Sequence, residues 1–260
     1  MLRGSSYLRS TALLITLGLV ASMALAQSKA AKSKSNDAKA QKSESKLVDS
    51  GSFGIYVNGS RIATEVFEIQ QNTAGSVTRS ELTLESGSTR AIQSAELSLN
   101  PMGELRRYQW SEKSPGKALV TVETDGELLT EQLYASAGEK PVEQKFLLPP
   151  STFILDDYFF VQRQLIAWRY LGASCHTEAT GLQCRLAKAQ LGVLVPRQRA
   201  SLSVSLEYTG SEPVNIKGTP QTLQRFKIDA EGTEWNLWLD DSHHLLRVTS
   251  PSQNVEVLRD

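Results

Sequence analysis

From Gly51 to Asp260 the chain alternates apolar and polar positions with a period of two, and the pattern is interrupted once. Ser52-Phe53-Gly54-Ile55-Tyr56-Val57 and the run Arg61 to Ile69 are rich in β-branched and aromatic residues. Between them stands Asn58-Gly59, a pair that accepts the positive φ angles of a type I′ turn, so a tight hairpin is predicted. Further strands are predicted at 77–85, 91–99, 105–111, 118–123, 128–134 and 142–148. Turn-forming sequences separate them: Glu85-Ser86-Gly87-Ser88, Asn100-Pro101-Met102-Gly103, Ser114-Pro115-Gly116, Asp125-Gly126 and Gly138-Glu139-Lys140-Pro141. Strands this closely spaced predict an antiparallel meander.

The interruption follows Pro149-Pro150. Ser151 or Thr152 is a candidate cap, Asp156 and Asp157 fall where a first turn favours acids, and Ile154, Tyr158, Val161, Leu165 and Trp168 recur at helical spacing. One amphipathic helix is predicted over 153–171, about 28 Å long at ~1.5 Å per residue. Leu155, Phe159 and Ile166 widen its apolar face, and Gln162, Arg163, Gln164 and Arg169 mark its solvent side. Period two then resumes at 182–186, 192–195, 202–208, 214–217, 223–228, 235–239, 245–248 and 255–258. Trp235, Leu237 and Leu239 share one strand face and Trp238 takes the other. No internal repeat of fixed period is present. A sheet of roughly 14 to 16 strands does not stay flat and open, so the predicted fold is mainly β: a curved antiparallel sheet or half-barrel with the one long helix packed in its concavity.

The N-terminus changes the picture of compartment. Arg3 and Arg9 precede an apolar run from Ala12 to about Leu25, and Ala24-Leu25-Ala26 offers small residues for cleavage, the pattern of a secretory signal peptide over 1–26. The run is shorter than the ~20 residues of a membrane span, and no Cys lies near the cut for lipid attachment. Residues 27–46 carry six Lys against two carboxylates and no aromatic or branched aliphatic side chain, the composition of a disordered linker suited to solvation or to contact with an anionic membrane or cell-wall surface. The remaining 47–260, read as a single domain, hold 20 basic and 26 acidic residues. An acidic body without a basic stripe argues against nucleic acid. The expected mature protein is exported, periplasmic or extracellular, without a membrane span.

Cys175 and Cys184 are the only cysteines, and in an exported chain an isolated pair is read as one disulfide. Their spacing is not C-x-x-C, and with His176 they supply three zinc ligands and no fourth, so no metal is assigned. The three histidines limit acid–base chemistry. His243 and His244 follow Asp240-Asp241-Ser242 in what reads as a solvated turn, and a carboxylate pair such as Glu65 with Glu81 is indistinguishable from strand-surface charge. No nucleophile elbow, zincin, phosphate-loop or dinucleotide motif occurs. No catalytic residue and no cofactor are assigned.

The opening hairpin from Gly51 to Glu65, and the close Trp238-Leu239-Asp240-Asp241 followed by Leu245-Leu246-Arg247-Val248, resemble the terminal hairpins of uncharacterised exported β-domain families with the half-barrel shape of the LolA/LolB lipoprotein carriers. The resemblance covers the ends of the body and the placement of the helix. It implies a curved sheet wrapping a helix and accepting acyl chains, and it assigns no residue. The expected function is thus a non-catalytic envelope protein binding an apolar or lipid-like ligand between sheet and helix, with Phe153, Tyr158, Phe159, Trp168, Trp110 and Trp238 as candidate lining. The alternatives are a structural or partner-binding envelope protein using the sheet edge and the lysine-rich leader, and a hydrolase without a recognisable motif.

Overall fold

Period two becomes visible as burial. On the second strand Ala63, Glu65, Phe67 and Ile69 are buried, while the residues between them are half-buried or exposed. The computed structural model describes residues 44–86, 89–136, 138–179 and 181–260. The predicted signal segment and most of the lysine-rich linker lie outside these.

Eight strands form the first meander, each paired antiparallel with the next: β1 (Lys46–Val57), β2 (Ser60–Asn72), β3 (Gly75–Ser86), β4 (Thr89–Leu99), β5 (Leu105–Ser114), β6 (Leu119–Asp125), β7 (Leu128–Tyr134) and β8 (Val142–Phe146). A connecting region follows, with the two-residue β9 (Phe153–Ile154), the helix α1 (Val161–Ser174) and the ribbon β10 (Cys175–Glu178) and β11 (Gly181–Cys184). A second meander closes the chain: β12 (Lys188–Val195), β13 (Ala200–Ile216), β14 (Thr219–Ala230), β15 (Thr233–Leu239), β16 (Leu245–Ser250) and β17 (Val255–Arg259). β1 pairs with β17, Ile55 opposite Val257, and this joins the meanders into one curved 15-stranded sheet with β8 at one edge and β9 at the other. All its pairings are antiparallel except β9 with β12. The sheet is open, and the helix packs in its concavity.

The predicted hairpin is present, with φ of +50° at Asn58 and +78° at Gly59, the positive pair of a type I′ turn. The runs 202–208 and 214–217 prove to be one strand, β13. A register shift between Tyr208 and Gly210 breaks its alternation, and Gly210 takes the φ of +113° that the bulge imposes.

The helix begins eight residues later than its periodicity predicts. Phe153 and Ile154 pair with Val193 and Leu194 of β12, and Leu155 N–H donates to the Leu194 carbonyl at 3.0 Å, so this backbone is bonded as strand. Tyr158, at φ +66°, then breaks any helical continuation. No local side chain caps α1. Glu65 of β2 does so instead, its Oε2 accepting the Phe160 N–H at 2.6 Å and the Val161 N–H at 3.4 Å.

The predicted solvent side is also corrected. Gln162, Arg163 and Gln164 are buried, because the curved sheet encloses the helix on more than its apolar stripe. Both glutamines find hydrogen bonds there, while Arg163, whose Nε and Nη1 have no hydrogen-bond partner among the described residues, packs against aromatic rings. Gln162 Oε1 accepts the Asp156 N–H at 2.6 Å, and Gln164 donates to Asp49 and accepts from Leu245 N–H, both at 2.7 Å. The Arg163 guanidinium lies 4.4 Å from the ring centroids of both Phe160 and Trp235.

Candidate functional site

Between α1 and the β3–β5 part of the sheet runs a groove of about 550 Å³. Leu97 and Leu99 at the end of β4 and Leu105 at the start of β5 form its sheet wall. Leu165, Ile166, Trp168, Arg169 and Gly172 form its helix wall, and Phe153, Ile154 and the Pro101–Gly103 turn complete it. Alternation puts 97 and 99 on the same, inward face of β4, and helical spacing puts 165, 168, 169 and 172 on one side of α1. The Trp168 indole N–H donates to the His243 carbonyl at 2.6 Å, which fixes the ring at the wall. Beside it, a Cβ added at Gly172 would meet no atom within 4 Å. Gln71, Ser76, Thr152 and Gln162 supply the few uncharged polar groups of the lining.

Of the six aromatic residues expected to line the site, Phe153 and Trp168 lie on this groove. Phe159 is fully buried in the core, and Trp110 is buried with its N–H on Gln93 and Arg197 over its ring at 5.2 Å. Tyr158 is 37% exposed at its positive-φ position and is not in the groove lining. Trp238 belongs to a second small core with Val214, Ile216 and Leu223, its N–H on Glu212 and its ring flanked by Arg225 and Arg247. The aliphatic lining from β4 and β5 is not legible in the sequence, because a buried leucine on an alternating strand carries no signal of ligand contact. Arg169, expected on the solvent side, is half-buried and stands on this open groove.

A polar cluster lies near the helix N-terminus. Asp156, fully buried, accepts from the Tyr108 hydroxyl at 2.5 Å and from Arg197 Nε at 2.6 Å. Burial pushes its pKa up, against the pull of Arg197, and pushes Tyr108 well above the usual phenol range. Burial likewise raises Glu131 on β7 to about 7, with Arg199 Nε 3.6 Å away, and raises Glu65 to about 8. Burial lowers Arg163 to about 10, so it stays a cation at neutral pH. Arg197 and Arg199 lie in the turn between β12 and β13, while Tyr108, Trp110 and Glu131 belong to β5 and β7. The cluster therefore ties the two meanders together where no strand pairing does.

No nucleophile–base pair emerges at the histidines. The His244 ring nitrogens face carboxylates, Nδ1 at 3.2 Å from Asp240 and Nε2 at 3.8 Å from Asp49. Glu65 points into the core and Glu81 pairs with Lys113 on the opposite sheet face, so these two carboxylates share no site. Among the described residues no group of three His, Cys, Asp or Glu side chains could hold a metal ion. Cys175 and Cys184 form a disulfide, opposite each other across β10 and β11. Comparison with protein-family models, with curated proteins and with solved structures gave no match, so the groove is interpreted from its own chemistry.

Proposed function

We propose that this is a non-catalytic protein of the cell envelope that binds an apolar, lipid-like ligand in the groove between α1 and β3–β5. The observation that carries this reading is the groove itself, whose 550 Å³ falls among the volumes of small-molecule sites and whose lining side chains are mostly aliphatic and aromatic, with polar atoms supplying nearly half of the surface it presents. A half-barrel holding one helix accommodates such a ligand along the helix, as the resemblance to the LolA/LolB shape implies. Export is supported by the disulfide, which persists in oxidising compartments, and by the N-terminal sequence. No helix among the described residues is long and apolar enough to cross a membrane.

The test is native mass spectrometry of protein purified from a periplasm without detergent, followed by lipid extraction. A stoichiometric lipid adduct supports the reading. An unliganded protein that also takes up no added phospholipid rejects it and favours the second reading, a partner-binding protein. That reading has its own observation: among the described residues β8 is a free sheet edge, and Val142 upon it and Leu147 just beyond it are exposed.

A further inference from the structure

Arg169 stands on a wall shared by two recesses. One is the apolar groove. The other, about 370 Å³, is bounded by the C-terminal half of α1 and the start of β12, and it too is lined by Phe153, Arg169 and Ala173, together with Lys188. Among the described residues neither lining contains a carboxylate, and Arg169 and Lys188 are the cations of the pair.

Among the described residues neither cation has an ion-pair partner, and Arg169 Nη1 is buried without a hydrogen-bond acceptor. Its guanidinium rests 5.9 Å from the Phe153 ring centroid. The Gly103 turn comes so close that a side chain there would lie 2.7 Å from Nη1. Thr152 is 4% exposed, lines the apolar groove, and its Oγ1 also lacks a partner. It shares this state with buried polar atoms elsewhere among the described residues, Thr78 and Ser250 included, but it alone of these hydroxyls faces the groove. Buried donors without acceptors are costly, and an incoming anion supplies acceptors to both. A guanidinium presents a fork of donors matched to a carboxylate or a phosphate.

We infer that the ligand is an anionic amphiphile, its hydrocarbon tail in the apolar groove and its carboxylate or phosphate head held by Arg169, Lys188 and Thr152. This rests on the proposed binding function and names the ligand class for it. An apolar ligand without a head group would leave both cations and the threonine hydroxyl as they are. A free anion without a tail would leave the larger recess empty.

The test titrates the disulfide-bonded protein by calorimetry with laurate, dodecyl phosphate, 1-dodecanol and inorganic phosphate, each below its aggregation limit. Arg169→Gln and Lys188→Gln are titrated in parallel, and their folds are checked by thermal melting. Lys188 is exposed, so its variant keeps the test decisive if Arg169→Gln fails to fold. Laurate and dodecyl phosphate are expected to bind at least tenfold more tightly than dodecanol, and each substitution is expected to shrink that ratio several-fold. The tighter of the two anions identifies the head group. Equal affinity for laurate and dodecanol, or a ratio preserved in both variants, overturns the head-group assignment while the groove reading stands. Inorganic phosphate binding as tightly as dodecyl phosphate overturns the amphiphile. Failure of all three dodecyl compounds to bind overturns the proposed function and this inference with it.

Discussion

Glu65 meets two demands at one position. Its inward place on β2 puts the carboxyl fully in the core, and there it accepts the first N–H groups of a helix that lies 95 residues further along the chain. Ser80 donates to its other oxygen at 3.0 Å. Burial pushes the group up to about 8, so at pH 6 it is neutral, and glutamine then preserves its size and an acceptor oxygen. Glu65→Gln should cost below about 1 kcal/mol in urea unfolding at pH 6. Glu65→Leu, which leaves the helix N–H and the serine hydroxyl unpaired, should cost about 2–4 kcal/mol. Equal losses in the two variants would show that charge, not the acceptor, holds the helix start. The sequence places Glu65 on a strand with alternating neighbours, yet an inward glutamate looks the same as an outward one until the strand's face is known.

The elements differ in how local their causes are. The Asn58-Gly59 hairpin and the strands around it were legible because period two and turn chemistry act over a few residues. The start of α1 was not. Its cap comes from β2, and residues 153–155 gain strand bonds from β12, so a helical apolar spacing continues N-terminally past the true boundary. Gln162, Arg163 and Gln164 were misplaced for a related reason, since polarity marks the solvent side only when one face of a helix is covered. At the other end, Cys175 directly follows α1 and its disulfide to Cys184 closes a short loop. In the chain-entropy view such a loop contributes ~2–3 kcal/mol. Replacing both cysteines with serine should lower stability by that amount and speed amide exchange from Leu171 to Arg185 while β1–β8 stay protected. Faster exchange throughout the sheet would mean that the ribbon supports the whole fold.

At the scale of the molecule, the joining of the meanders through β1 and β17 was beyond sequence reading, because it pairs segments about 200 residues apart. So was the polar tie of Arg197 and Arg199 to Asp156 and Glu131. That tie and Glu65 shape the pH dependence. Glu65, Glu131 and Asp156 all carry raised values in the fold and ordinary ones in the unfolded chain. Between about pH 5 and 8 the native state therefore holds more protons through Glu65 and, up to about pH 7, through Glu131, and stability falls as pH rises, by at most about 1.4 kcal/mol per unit for each of these two, with Asp156 acting in the same direction. Asp49 acts the other way. Burial opposes its ionisation, but hydrogen bonds from Arg259 and Gln164 outweigh it and leave the value lowered, so stability is also lost in stronger acid. The urea midpoint should be higher at pH 5 than at pH 8, and Glu65→Gln with Glu131→Gln should flatten that slope. A midpoint that rises from pH 5 to 8 would show the buried carboxyls to be ionised throughout.

Whether the groove beside α1 receives a ligand is tested most directly at Gly172. A Cβ there meets no neighbouring atom, Gly172 lines this groove as well as the recess beside Cys175 and His176, and leucine gains about 0.8 kcal/mol of helix propensity over glycine, so the fold should be no less stable. The measurement is the affinity and stoichiometry of a fluorescent long-chain fatty acid for the wild type and for Gly172→Leu, with thermal melts of both. One site per chain, weakened at least tenfold in a variant that melts no lower than the wild type, is the expected result. Undiminished binding by Gly172→Leu, or no saturable binding by the wild type, would contradict a ligand site in this groove.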